Sequence, residues 1–323
     1  MGVVAMEFVS LLDAGKGTGP ETGAGYFAGP TNCGLIWKGK RALLVDSGLD
    51  ESAARKILRY LKEQGLELTG ILNTHFHADH VGGNAFLVQR TGSPVFAPAV
   101  EAEFVRQPIL EPASLYGMAA PPASLRNKFL MAQPTPCVQG LEPGSWQDPL
   151  GLGMEPLDVS GHSPGQLALA VTGGVLFAGD LFFGSQVLDK HGIPYNSDVG
   201  KHLQSLARAQ VWAAEGRFAW MVPGHGPACR PGEALRTIEE NRQRVEDLLF
   251  HICYELKERG PLSAPALVAA LCYRFGRQLD AMGEFLLMQS AVQACLSHLA
   301  VQGLVGEVVA ENQLLWRNIE RTC

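Results

Sequence analysis

One short segment constrains this chain more than any other. It reads THFHADHVGG, spans residues 74–83, and follows an apolar run, LTGILNT (68–74), that predicts a buried strand. Four side chains that can bind a metal lie within its six central positions: His75, His77, Asp79 and His80. Imidazole nitrogens suit zinc, iron or manganese, and a nearby carboxylate adds the negative charge that a second cation requires. The segment therefore predicts a metal site in a tight loop at a strand end.

The residues before this loop predict a layered α/β fold. RALLVD (41–46) is an apolar run that suits a buried strand ending in a turn. Apolar residues then recur at helical spacing as far as Gln64, with Asp50 as the N-cap and Gly65 as the C-terminal stop. A strand, a helix and a second strand thus precede the histidine loop, which places polar chemistry at the carboxyl ends of strands.

Three later segments also place polar residues after apolar runs. They are SGHSPGQ (160–166), FAGDLFF (177–183) and PGHG (223–226). Together with THFHADHVGG, they resemble the HxHxDH signature, the GHTxGH element, the strand-terminal Asp and the last His element of the metallo-β-lactamase superfamily. The four elements occur in the order found in that family, and the resemblance covers about residues 5–230, nearest to the lactamase-β-2 and glyoxalase II-like groups.

The resemblance implies an αββα sandwich with two metal ions at its edge, most simply zinc, with manganese or iron as alternatives. By analogy, one metal is held by His75, His77 and His162, and the other by Asp79, His80 and His225, with Asp180 between them. Asp46 and Gly48 match a DxG turn of the family, which is a supporting role. Gln166 departs from the pattern, because many relatives carry a second histidine there, and this departure weakens assignment to glyoxalase II.

The chemistry of such a site favours hydrolysis. Two divalent ions about 3.5–4 Å apart lower the pKa of a water between them and polarise the bond that is attacked. We therefore expect a hydrolase of a small ester, thioester, lactone or amide. Asp79 is the expected catalytic residue, because a carboxylate beside both ions can orient the water and accept its proton.

The last third of the chain has a helical pattern. One amphipathic helix ends at Gly260, a second is expected over 265–274 and a third over 284–302, and two β-like runs close the chain. This order predicts a winged-helix-like module, so we divide the chain into a catalytic domain (1–235) and a C-terminal domain (236–323). We expect the module to pack against the catalytic domain or to mediate a homodimer.

Two segments are expected to determine the substrate. Residues 101–150 are rich in Pro and Ala and have the length of a lid or an insertion. Residues 182–198 follow the Asp180 element and carry four polar side chains that could reach a substrate: Lys190, His191, Tyr195 and Asp198. For each of these four, a solvated loop position is the simpler interpretation.

Composition limits the partners and the compartment. The net charge is −6 and no run of Lys or Arg is long enough to form a basic tail, which disfavours nucleic acid. Seven scattered cysteines without CxxC spacing suit reduced thiols. The N-terminus lacks a basic signal region, and no stretch reaches the ~18 apolar residues of a membrane span, so we predict a cytoplasmic protein.

The sequence alone leaves three rival functions open. A metal-dependent nuclease acting on RNA would suit the winged-helix-like module, but residues 284–302 contain no Lys or Arg. An iron-dependent sulfur dioxygenase of this superfamily needs only the three-histidine site, and the presence of Asp79, His80 and His225 argues against it. A non-catalytic scaffold would leave seven potential ligands unused.

Overall fold

The computed structural model describes residues 6–13 and 21–319 of the chain. Eleven of the strands form two sheets, of seven and four strands, and two form a separate C-terminal hairpin. The strands, in chain order, are β1 (Glu7–Asp13), β2 (Thr22–Ala28), β3 (Cys33–Lys38), β4 (Arg41–Val45), β5 (Glu67–Leu72), β6 (Val95–Pro98), β7 (Val138–Leu141), β8 (Glu155–Asp158), β9 (Leu167–Val171), β10 (Val175–Gly179), β11 (Trp220–Pro223), β12 (Val305–Ala310) and β13 (Gln313–Asn318).

The helices lie mainly on the outer faces of the two sheets. They are α1 (Glu51–Glu63), α2 (Ala78–Val81), α3 (Asn84–Thr91), α4 (Ala102–Arg106), α5 (Leu110–Leu115), α6 (Ser185–His191), α7 (Val199–Ala214), α8 (Pro231–Arg259), α9 (Ala264–Arg274) and α10 (Met282–Val301), with a 3-10 turn at Ala123–Leu125. The prediction of a helix after Asp50 is confirmed, since the Asp50 carboxylate accepts the Ser52 N–H at the start of α1. None of the helices described is long and apolar enough to cross a membrane.

The αββα sandwich predicted from the sequence is confirmed. The large sheet runs in the order β1 to β7, and the small sheet in the order β11-β10-β9-β8. Side chains alternate along the central strands, so Leu43 faces the small sheet while Leu44 packs beneath α1 against Ile57. On the far side, Leu176 of β10 packs with Leu206 of α7. Each sheet thus buries both faces, and the described residues of the sandwich form three apolar clusters: one between the two sheets and one beneath the helices on each outer side.

The prediction that residues 101–150 form a lid or an insertion is corrected in part by the structure. It contains α4, α5 and the 3-10 turn, but it also contains β7, which pairs in parallel with β6 and forms the edge of the large sheet. That part of the segment is integral to the fold and is not an insertion. A lid role for the remainder stays a prediction.

The C-terminal third contains the three helices and the hairpin that the sequence predicts. Their apolar residues form a separate cluster that includes Leu248, Leu267 and Leu296. Helix α8 begins at Pro231 and continues unbroken to Arg259, so the proposed division at 235/236 falls within its first turns. The winged-helix resemblance of this part and its role as a domain stay predictions. Six of the seven cysteines are free thiols, and Cys323 lies outside the described residues.

Candidate metal centre

The predicted site residues meet at one edge of the sandwich. Asp46 directly follows β4, the histidine loop follows β5, and Asp180 and His225 follow β10 and β11. His162 precedes β9, which runs antiparallel to β10 and therefore begins at the same edge. The structure brings together all seven side chains that the sequence analysis selected as ligands.

One group of potential ligands consists of three histidines. The Nδ1 atom of His77 lies 3.0 Å from the Nε2 atom of His75 and 3.0 Å from the Nε2 atom of His162. His75 and His162 are buried, while His77 is half-buried. Three nitrogen atoms of this kind at one point match the ligand set of a transition metal.

A second group consists of Asp79, His80 and His225. The Oδ2 atom of Asp79 lies 3.2 Å from Nε2 of His225 and 3.8 Å from Nε2 of His80. Asp180 lies between the two groups, because its Oδ1 is 3.3 Å from His80 and its Oδ2 is 3.4 Å from His162. The arrangement therefore has the shape of two neighbouring metal positions that share one carboxylate.

Three of the histidines use Nδ1 to contact a partner outside the site, and this contact aims Nε2 at the site. Nδ1 of His80 lies 2.8 Å from Oδ2 of Asp46, and Nδ1 of His162 lies 2.9 Å from the Tyr195 carbonyl. Nδ1 of His225 faces the carbonyl of Pro30. Such outer partners fix the tautomer and ring orientation of metal-binding histidines.

The Thr74 hydroxyl completes this pattern at His75. It donates its single hydrogen to Oδ2 of Asp46 at 2.8 Å, and it lies 3.0 Å from Nδ1 of His75. Because that hydrogen is already used, the ring of His75 must donate from Nδ1, which leaves a lone pair on Nε2. Asp46, which has a φ of 60°, also accepts the backbone N–H of Thr74 at 2.8 Å. The supporting role predicted for Asp46 agrees with these contacts.

The charges and hydrogen bonds of the site fit a cation. Nε2 of His80 and Oδ1 of Asp180 are buried and have no hydrogen-bond partner among the described residues. Burial lowers the pKa of His77 to about 4 and that of His162 to about 3, so both rings are neutral at pH 7, the form that can bind a metal. Burial opposes a charge on His225, but the carboxylates of Asp180 and Asp79 raise its pKa to about 10. These carboxylates thus attract a positive charge, which a bound divalent metal would supply.

Gln166 supports the shared carboxylate. Its Oε1 atom accepts the backbone N–H of Asp180 at 3.1 Å, and its side chain is fully buried. The residue that departs from the family pattern therefore supports the backbone of a candidate ligand and does not itself face the site.

Several supporting residues have no signal in the sequence. Thr31 donates from its hydroxyl to Oδ2 of Asp79 at 2.9 Å. Asn32 donates from Nδ2 to the carbonyls of Pro223 and Gly226 at 2.8 and 2.6 Å, and so fixes the loop that carries His225. Only the folded β2–β3 turn brings these two residues to the site, since Asn32 lies 191 positions before Pro223 in the chain.

Two glutamates of the segment 101–150 were also missed. Glu101 is buried and accepts hydrogen bonds from Phe76, Ser163 and Gly165. Burial raises its pKa to about 7 even though these three donors favour the ionised form. Glu111 is buried as well, and burial together with the nearby Asp79 carboxylate raises its pKa well above its usual range.

The expected substrate residues divide into two kinds. The Tyr195 ring centre lies 5.4 Å from that of His77 and 5.7 Å from that of His162, so it forms part of the site wall. Asp198 caps helix α7 by accepting the Lys201 N–H at 2.9 Å, a structural role. Lys190 and His191 are exposed at the end of α6. Phe183, which the sequence did not single out, stacks on His225 at 5.9 Å between ring centres.

The fold and the ligand geometry define a class of protein, and comparison with known proteins identifies it. A family model described as the metallo-beta-lactamase superfamily matches residues 26–225, and the chain belongs to that superfamily. Among solved structures, a metallo-beta-lactamase family protein from Thermus thermophilus is similar with a TM-score of 0.69 at 22% identity, over 97% of this chain and 98% of that one. At that identity the likeness concerns the fold.

Two of the curated relatives are named as a hydrolase and a thioesterase. The chain is 32% identical to a hydroxyacylglutathione hydrolase from Methylobacillus flagellatus over 151 residues, which is 47% of each chain. It is 22% identical to an atrochrysone carboxyl ACP thioesterase from Passalora fulva over 306 residues, which is 92% of this chain and 78% of that one. The aligned region spans about half the length of the first of these relatives.

Proposed function

We propose that this protein is a hydrolase that uses two divalent metal ions, zinc in the simplest case, to cleave a small thioester. The observation that carries the proposal is the pair of ligand groups joined by Asp180. His75, His77 and His162 would hold one ion, and Asp79, His80 and His225 the other. The names of the curated relatives favour a thioester over the ester, lactone and amide alternatives, because a hydroxyacylglutathione and an acyl carrier conjugate are both thioesters.

The site opens to solvent beside Asp79 and His225. Their side chains are 30% and 18% exposed, whereas the side chain of His80 is fully buried. Phe183 stacks on His225 beside this opening, and Tyr195 lies against His77 and His162. A substrate carbonyl therefore enters beside Asp79, and the rings exclude water from the acyl group on either side.

The proposed reaction is hydrolysis of the thioester bond, in which the metal ions and Asp79 have different roles. When bound, two divalent cations supply a water whose pKa is lowered towards neutrality and polarise the substrate carbonyl. Asp79 orients the attacking water and accepts its proton, while the Thr31 hydroxyl, which donates to Oδ2, holds the carboxylate in place. The water oxygen forms a bond to the acyl carbon, the carbon–sulfur bond breaks, and the proton passes to the leaving thiolate. The products are a carboxylic acid and a thiol.

The test combines metal analysis with a substrate panel. Protein purified without added metal is analysed by elemental mass spectrometry, beside an Asp180→Ala variant, and cleavage of matched thioesters and oxygen esters is measured. We expect two zinc ions per chain, loss of bound metal in the variant, and faster cleavage of the thioester. A single iron that is unaffected by the Asp180 substitution would favour the dioxygenase instead, and metal-dependent cleavage of RNA with no thioester cleavage would favour the nuclease.

A further inference from the structure

Glu101 is a buried carboxylate that belongs to neither ligand group. It lies three residues after β6, at the start of α4, and only 1% of its surface is exposed. An unpaired carboxylate in such a position costs free energy unless several donors surround it. Its hydrogen-bond partners among the described residues include no Lys or Arg. The polar groups that offset its burial come instead from two separate loops of the metal centre.

The first of these loops carries His75 and His77. The backbone N–H of Phe76, which lies between the two histidines, donates to Oε2 of Glu101 at 3.0 Å. A hydrogen bond at this position fixes the peptide from which both rings project. The Phe76 ring also packs on Phe104, with 4.4 Å between ring centres, and so anchors the same part of the loop to α4.

The second loop carries His162. The Ser163 hydroxyl donates to Oε1 of Glu101 at 2.6 Å, and the Gly165 N–H donates to the same oxygen at 2.7 Å. Both donors lie within three residues of His162. One carboxylate therefore joins the loop of His77 to the loop of His162. These two histidines are 85 positions apart in the chain, but Nδ1 of His77 lies 3.0 Å from Nε2 of His162.

We infer that Glu101 is a positioning residue that holds the loops of His75, His77 and His162 at the spacing that one metal ion requires. The inference rests on the proposed function, because it concerns the metal of that site. Loss of Glu101 should weaken metal binding at the three-histidine group only. The second group is supported by other side chains, since Asp46 holds His80 and Thr31 holds Asp79.

A carboxylate suits this position better than an amide does. Two oxygen atoms accept the three hydrogen bonds, one at Oε2 and two at Oε1. A glutamine has one oxygen, so its NH₂ group would face either the Phe76 N–H or the donors from the second loop. At least one loop would then lose its partner, and the two loops would separate.

The experiment measures metal affinity directly. Glu101→Gln is compared with Glu103→Gln, an exposed position on helix α4 that pairs with Arg106 and Gln107. Zinc is titrated into metal-free protein in competition with a chromophoric chelator, and the melting temperature of each metal-free protein is recorded. We expect Glu101→Gln to weaken one of the two zinc sites by about 10- to 100-fold, as loss of an outer-shell partner does, and Glu103→Gln to match the wild type.

Two variant backgrounds identify the weakened site. With His225→Ala, the three-histidine group is the remaining strong site, and adding Glu101→Gln should lower its affinity by the same factor. With His162→Ala, adding Glu101→Gln should change nothing. Equal affinities in wild type and Glu101→Gln, or an equal loss at both sites, would overturn the inference.

Ser163→Ala provides a second route if Glu101→Gln does not fold. It removes one donor and keeps the carboxylate, so the same site should weaken by a smaller factor, and wild-type affinity at that site would also overturn the inference. Failure of the proposed function looks different, because the wild type itself would then bind no zinc pair.

Discussion

A single methyl group at Gly224 should displace the carboxylate of Asp180, which lies between the two ligand groups. A Cβ atom built at Gly224 lies 2.2 Å from Oδ1 of Asp180 and 2.8 Å from Cε1 of His80, closer than the 3.0 Å below which real Cβ contacts essentially do not occur. The backbone cannot retreat, because the Gly224 N–H donates to the Gly179 carbonyl at 2.7 Å and its own carbonyl accepts the Asn32 N–H at 2.7 Å. Asp180 must therefore move by about 0.8 Å, the difference between 3.0 and 2.2 Å, to restore a tolerable contact.

That displacement is large on the scale of metal coordination. Ligand distances in a functional site agree with ideal values within about 0.2 Å, and a misplacement of about 1 Å costs roughly 100-fold in rate. We therefore expect Gly224→Ala to lower kcat/KM for the thioester by about 100-fold. For the proposed pair of zinc ions, bound zinc should fall to one ion per chain or fewer, because Asp180 lies between the two ligand groups.

The assay pairs this variant with Gly232→Ala. Gly232 lies in the first turn of α8, and a Cβ atom there meets no atom of the described residues within 4 Å beyond its own helical turn. Alanine is favoured over glycine inside a helix by about 0.5–1 kcal/mol, so the control should be folded and fully active. Zinc content, melting temperature and thiol release are measured on both proteins. Two ions and wild-type kcat/KM in Gly224→Ala would refute the steric reasoning.

Two further predictions concern the support of the site and its metal. Asp46→Asn keeps the side-chain shape at φ 60° but presents an amide group to Thr74 and His80. Zinc affinity, measured by competition with a chelator, should therefore fall about 10- to 100-fold. An unchanged affinity would contradict the role assigned to Asp46. Removal of metal with a chelator should lower the melting temperature, and free zinc at 100 times its Kd should restore about 2.7 kcal/mol of stability; a melting temperature independent of zinc would contradict a site that binds only the folded chain.

The sequence indicates the candidate ligands because they are local and chemically distinctive. His75, His77, Asp79 and His80 lie in one loop, and each of the other three ligands follows or precedes an apolar strand. The strand pattern also predicted the layered fold, because alternation along strands such as β4 separates residues for the two faces of a sheet. These features need no knowledge of which distant segments meet.

The supporting residues could not be found in the same way. Thr31, Asn32 and Glu101 act through contacts with segments 25 to 194 positions away. A single Thr, Asn or Glu in a loop is most often a solvated residue, and no periodicity distinguishes the exceptions. Glu101 is further obscured because composition predicts a lid or an insertion for its segment, whereas β7 in that segment completes the large sheet.

The long helix α8 links the metal centre to the C-terminal third of the chain. Asn241 is buried on α8, where its Oδ1 accepts the Phe183 N–H at 2.9 Å and its Nδ2 donates to the Phe183 carbonyl at 2.8 Å. Phe183 lies three residues after Asp180 and stacks on His225. The two hydrogen bonds from Asn241 therefore hold the Phe183 ring against the metal centre. Arg244, one turn further, donates to the carbonyls of Leu188 and Gly192, each at 3.1 Å, and so holds the end of α6. Because the family match ends at residue 225, α8 lies outside it, and these contacts make this helix a support of the site wall.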